Sequence, residues 1–213
     1  MTALTVPEVG AILDQALLTL AGQRDHLRDL DAAVGDGDLG ITVDRGAGAI
    51  RAALAETPPD TLGALLRTAG TAFAGGNPST MAALVGTGLL AAAKEVDGER
   101  ELSPEVAIRI GDSAQRRIAE RGKAGLGDKT VLDALTPSVD ALRKAGEGER
   151  LAAMIAAARE GVEATTDQPA RKGRAAWVGE RGTGHPDPGA TAYLLFLESL
   201  LSAVTEQAPQ ERA

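Results

Sequence analysis

Four aromatic side chains, Phe73, Trp177, Tyr193 and Phe196, are all that 213 residues contain. Strands draw on aromatic and β-branched residues, whereas alanine and leucine dominate here. The composition therefore predicts an all-α protein whose helices approach closely through small side chains. The length suits a single domain over 1–213 with a sizeable core, and the polar residues at about 207–213 read as a frayed tail. A net charge of −8 disfavours nonspecific binding to nucleic acid or to an anionic membrane. The lack of cysteine excludes disulfides and thiolate metal sites and fits a cytoplasmic location.

Apolar residues recur at helical spacing. A first helix starts at Thr5 with Glu8 completing a capping box, carries Val6, Val9, Leu13, Leu17 and Leu20 on one stripe, and runs past His26, read as a surface residue. Further helices are expected over about 42–56, from an Asp60 cap to about 74, and over about 78–96. Ser103-Pro104-Glu105 is a start signal for a helix reaching about 121. Thr130 opens another, which Pro137 should kink or crowd. The last two span about 149–165 and 190–205, separated by a long irregular segment of the kind that is usually functional or mobile. No basic leader precedes the first helix. Residues 68–93 carry no charge, but Gly75-Gly76-Asn77-Pro78-Ser79-Thr80 interrupts them, leaving halves too short to span about 30 Å of bilayer.

The chemistry concentrates in LDAAVGDGDLG, residues 30–40, which sets Asp31, Asp36 and Asp38 among three glycines. Two like charges about 4 Å apart repel by roughly 4 kcal/mol at an effective dielectric near 20, so converging carboxylates need a cation or must splay into solvent. Such hard oxygen ligands suit Mg²⁺, whose shell is completed by water and substrate phosphate. The same residues would also make a solvated Asp-Gly turn. A dinucleotide fingerprint is formally matched by Gly35, Gly37 and Gly40, but no buried strand precedes it. An EF-hand fails because Ala47 stands where the bidentate glutamate belongs, and no Walker A motif is present.

Two other segments could meet a phosphate. The diglycine turn opens a helix whose free amides attract anions, or it is an ordinary connection between helices. Arg171, Lys172, Arg174, Arg181 and His185 cluster against one acid, Glu180, which suits a polyanion or a solvated charge run. Trp177 could stack on a base or fill the core. His185 could act as a general acid, contact phosphate, or hold the Pro186-Asp187-Pro188-Gly189 turn.

Together LDAAVGDGDLG, RGKAGLGDKTVLDAL (121–135) and ARKGRAAWVGERGTGHPDPGA (170–190) resemble the DhaL family, the nucleotide-binding L subunits of dihydroxyacetone kinases, in order and spacing. The resemblance implies a barrel of eight antiparallel helices with the nucleotide at one end under a lid. It implies two Mg²⁺ held by Asp31, Asp36 and Asp38, and ADP or ATP contacts at Leu39, Gly40, Ile41, Thr42, Asn77, Pro78, Gly122, Val131, Arg174, Asp187, Pro188 and Gly189. Arg174 would also stabilise phosphate charge in catalysis, with Arg181 beside it. The implied reaction is phosphoryl transfer to a small ketose or polyol held by a separate DhaK-like subunit. A DhaM-like phosphotransferase-system protein could recharge bound ADP, and a homodimer is an open alternative.

Two departures bear on this. The family usually reads GDGDHG, and Leu39 replaces that histidine; leucine cannot hydrogen-bond phosphate. The diglycine turn reads GGNPST rather than a form close to GGASG, so Pro78 removes one amide donor. The competing reading is a non-catalytic nucleotide-binding regulator of the same fold, which the leucine favours if transfer has been lost.

Overall fold

The computed structural model of the chain describes residues 3–76, 78–172 and 182–207. Among them are nine helices: α1 (Val6–Ala21), α2 (Arg24–Val34), α3 (Leu39–Glu56), α4 (Leu62–Gly75), α5 (Thr80–Glu95), α6 (Pro104–Gly122), α7 (Leu132–Lys144), α8 (Arg150–Ala164) and α9 (Pro188–Gln207). Two-residue strands β1 (Leu4–Thr5) and β2 (Glu101–Leu102) pair antiparallel, with Leu4 opposite Leu102. The protein is all-α, as its composition predicts.

Local signals account for several boundaries. The Glu8 carboxylate accepts both the amide and the hydroxyl of Thr5, each at 2.7 Å, fixing the start of α1. Ser103 accepts the Val106 amide with Pro104 at the first helical position, and so starts α6. The α4 cap is Thr61, which accepts the Ala64 amide at 3.1 Å, rather than Asp60. The helix expected to run unbroken past His26 divides at Gly22-Gln23, where short-range bonds to Leu18, Thr19 and Leu20 carbonyls tighten the turn. His26 is nonetheless exposed.

Eight of the helices close a ring. Neighbours in space are α1 and α3, then α3–α4 and so on in chain order to α8–α9, and α9 returns to α1; α2 packs across α3 and α9. Each neighbouring pair runs antiparallel. Asp14 meets Arg51 while Leu20 and Val43 share a buried cluster, and Gly63 lies against Ala93 while Gly70 lies against Gly86. Farther round, Gly111 faces Val139, Gly161 faces Asp133, Arg159 pairs with Glu198, and Gln15 reaches Glu206.

Buried apolar side chains line the interior. Leu17, Ala47, Ile50, Ala69, Phe73 and Ala82, from four helices, form one buried cluster, and Ala134, Ile155, Ala158, Val162, Leu194 and Leu197 contribute to another. Close approach depends on small residues. A Cβ at Gly46 would overlap the Phe73 ring, and one at Gly161 would overlap the Asp133 carbonyl. Pro137 explains the second contact: α7 continues through it, but proline has no amide to offer the Asp133 carbonyl four residues back. Helix α9 has the length and hydropathy to cross a membrane, yet it packs against α1, α7 and α8 and buries eight side chains in the barrel.

Alternating helix direction places every second connection at the same end. Residues 35–38, 123–131 and the described parts of the α4–α5 and α8–α9 connections (76, 78–79, 165–172 and 182–187) therefore gather at one end of the barrel, and 57–61, 96–103 and 145–149 at the other. Direct contacts tie 123–131, the α8–α9 connection and the end of α2 together. The Arg171 amide bonds the Asp128 carbonyl, Gly182 lies against Val34, and Gly189 lies against Val131.

Candidate metal and nucleotide site

Helix α2 ends on a short acidic loop, and α3 starts from it. Asp31 sits in the last turn of α2 and Asp38 at the N-cap of α3. Between them Gly37 adopts φ 74°, a left-handed conformation that favours glycine, and the chain reverses there. Asp31, Asp36 and Asp38 each present a carboxylate oxygen, and those oxygens lie within 4.8 Å of one another. Asp36 is exposed and the other two are half-buried. Burial and the neighbouring Asp31 charge push the Asp38 carboxyl above the usual carboxylate range. An all-carboxylate oxygen set that repels itself fits a hard divalent cation of the Mg²⁺ kind.

The residues after the aspartates form the first turn of α3 rather than a loop. The Leu39 amide donates to Asp31 Oδ2 at 3.1 Å, which locks the helix start to the carboxylate cluster. Amides in the first helical turn have no acceptor within the helix, so those of Gly40 and Ile41 point out of the N-terminus beside the aspartates. A Cβ at Gly40 would overlap the Arg24 carbonyl, so glycine there lets α3 seat against α2. The Leu39 side chain goes elsewhere: it is buried with Leu20, Leu27, Val43 and Ala192. Leucine at this position is thus a core residue whose amide serves the site.

A second wall comes from the GDKT and GHPDPG segments. Asp133 accepts the Gly127 and Thr130 amides, folding 123–131 into a tight loop. Asp187 caps α9, its Oδ2 accepting the Ala190 amide at 2.7 Å, while its own amide donates to Thr165 Oγ1 at 2.8 Å. Burial pushes the Asp187 carboxyl up to about 7. Lys129 is buried beside it. Its ammonium donates to the carbonyls of Gln168 at 3.0 Å and Gly182 at 2.8 Å, and burial pushes its pKa down.

Sequence expectations can now be placed. Asp31, Asp36, Asp38 and Leu39, Gly40, Ile41, Thr42 share the α2–α3 junction. Pro78 lies in the α4–α5 connection, with Ser79 rather than Pro78 at the α5 N-cap. Gly122 ends α6, Val131 caps α7, and Asp187, Pro188 and Gly189 open α9, two residues earlier than the spacing suggests. All belong to the same end of the barrel. His185 is exposed beside them. Asn77, Arg174, Trp177, Arg181 and the tail 208–213 lie outside the described residues. Lys129, Asp133 and Thr165 escaped sequence reasoning, because nothing in composition or spacing marks one lysine, aspartate or threonine as buried. The left-handed φ of 61° at Lys129 is likewise visible only in the structure.

Against this geometry, the DAK2 domain family matches residues 33–202. The ADP-binding subunit DhaL of PEP-dependent dihydroxyacetone kinase 1 from Listeria innocua is 35% identical, the match covering 82% of this chain and 85% of that one. The corresponding DhaL subunit from Escherichia coli is 30% identical, over 86% of this chain and 90% of that one. Among solved structures, the C. freundii dihydroxyacetone kinase in complex with AMP-PNP and Mg²⁺ superposes with a TM-score of 0.74 at 26% identity. That match covers 92% of this chain but only 33% of the solved one, so the chain spans about a third of that kinase. The chain belongs to the DAK2 domain family. Within it, the resemblance to DhaL, the ADP-binding subunits of dihydroxyacetone kinases, extends over most of its length.

Proposed function

We propose that the chain is the Mg²⁺-nucleotide-binding subunit of a dihydroxyacetone-type kinase, acting as one domain in the cytoplasm. The observation that carries this reading is the meeting of Asp31, Asp36 and Asp38 oxygens within 4.8 Å at a helix N-terminus. The C. freundii kinase, about a third of which this chain matches, was solved in complex with AMP-PNP and Mg²⁺. The three aspartates would hold two Mg²⁺, which when bound neutralise charge on the phosphates. The first-turn amides of α3 receive phosphate oxygens, and Val131 with the Asp187-Pro188-Gly189 start of α9 flanks the nucleotide. Arg174, outside the described residues, keeps the phosphate-stabilising role that the family resemblance assigns it.

Phosphate then passes to the hydroxyl of a small ketose or polyol held by a DhaK-like partner. The listerial and E. coli relatives are named as PEP-dependent and ADP-binding. That supports a relay, in which bound ADP is recharged by a DhaM-like phosphotransferase-system protein, over free exchange of ATP. The burial of Leu39 in the core weakens the case for a non-catalytic regulator, since that leucine has a packing role. The test is turnover: the purified chain with a K-type subunit and dihydroxyacetone yields the phosphorylated ketose from ATP or from a PEP-driven relay. Nucleotide binding without product under both regimes contradicts the kinase reading.

A further inference from the structure

Lys129 is the largest fully buried side chain in the described structure, at 1% exposure, and no step above uses it. Its backbone also sits at φ 61°, in the left-handed region that a residue with a side chain disfavours. Burying an ammonium is unfavourable unless its charge and its N–H groups are matched. Strain and a buried charge on one loop residue persist only where the surroundings hold them.

The surroundings are specific. The ammonium donates to the carbonyls of Gln168 and Gly182, which lie near the two ends of the connection between α8 and α9. Fourteen residues apart in sequence, these two carbonyls are brought to one nitrogen. The carboxylates of Asp187 and Asp167 supply the countercharge. Gly182 in turn lies against Val34, the residue at the end of α2 from which the aspartate loop departs. Five residues on, the Asp187 amide donates to Thr165 Oγ1. Asp133, which folds the loop carrying Lys129, bonds the Gly127 and Thr130 amides.

From this geometry we infer that Lys129 is a positioning residue for the nucleotide: its ammonium clasps Gln168 to Gly182 and so sets the Asp187-Pro188-Gly189 start of α9 opposite the aspartate cluster. The inference rests on the nucleotide site proposed above. It adds a residue that touches neither metal nor phosphate. A methionine of similar length fills the space without donating to either carbonyl, so the stems separate and the nucleotide loses one wall, while the aspartates keep their own geometry.

The full-length Lys129→Met variant is compared with wild type by calorimetric titration with Mg²⁺-ADP, by Mn²⁺ alone followed by electron paramagnetic resonance, and by thermal melting. The expected result is a folded variant whose Mg²⁺-ADP affinity falls at least tenfold while Mn²⁺ affinity stays within twofold of wild type. Wild-type ADP affinity in the variant overturns the clasp alone. Parallel loss of metal and nucleotide in a folded variant also overturns it, because the role is then general integrity of the end of the barrel. Failure of the wild type itself to bind Mg²⁺-ADP removes the nucleotide reading and the clasp with it. If the variant does not fold, amine acylation of the wild type decides. Binding and clasping are reciprocally linked, so Mg²⁺-ADP should slow Lys129 modification at least threefold and leave the exposed Lys123 and Lys144 unchanged. No additional protection of Lys129 overturns the proposal.

Discussion

Asp187 meets two opposed demands at a single carboxyl. As the α9 cap it accepts the Ala190 amide at 2.7 Å, a role that favours the ionised form near a helix N-terminus, yet burial pushes its pKa up to about 7 from 3.8. The folded protein therefore holds this proton more tightly than the unfolded chain does. The resulting stabilisation is complete below about pH 4 and is lost as pH rises through 7. Urea midpoints should fall between pH 5 and pH 8 in wild type. Asp187→Asn keeps a cap acceptor without a proton to lose, so its midpoint should change less over that range. Leu39 makes a different prediction. Its side chain is buried among Leu20, Leu27, Val43 and Ala192, so Leu39→Ala should cost about 2–5 kcal/mol in urea denaturation. The Asp31 bond to the residue 39 amide survives that change, so metal affinity in the folded variant should persist.

At the scale of elements, the barrel depends on which helical glycines face a neighbour. Gly46 and Gly48 lie one turn apart at most on α3, but a Cβ at Gly46 would overlap the Phe73 ring, while one at Gly48 meets nothing within 4 Å. Gly48→Ala should stabilise by about 0.5–1 kcal/mol through helix propensity. Gly46→Ala should destabilise by about 1–3 kcal/mol through overpacking. Chemical denaturation of the two variants side by side measures both signs. Most of these elements were legible in the sequence. Thr5 with Glu8, and Ser103 with Pro104, announced helix starts because capping is local chemistry. The break at Gly22-Gln23 was not legible, since the apolar spacing continues across it and packing of α2 on α3 and α9 decides it. The aspartate loop was readable because repulsion and the glycine between Asp36 and Asp38 are properties of residue type. The Lys129 arrangement was hidden because its partners, Gln168 and Gly182, are backbone carbonyls that exist at that point only after the barrel has closed.

For the whole molecule, antiparallel closure of eight helices determines where chemistry can occur. Four connections share one end, so residues as distant in sequence as Asp31 and Gly189 come to the same end of the barrel without any single long-range motif specifying it. Binding to the native state alone at about 100 times the dissociation constant adds roughly 2.7 kcal/mol of stability. On the proposed function, this end of the barrel binds nucleotide through a metal held by the three aspartates. The most direct test is the thermal melt of the full chain with ADP, with Mg²⁺, with both, and with both in the Asp36→Asn variant. A large upward shift is expected only when wild type has both, with its loss in the variant. An equal shift in the variant, or no shift in wild type together with no nucleotide released on denaturation, would contradict it.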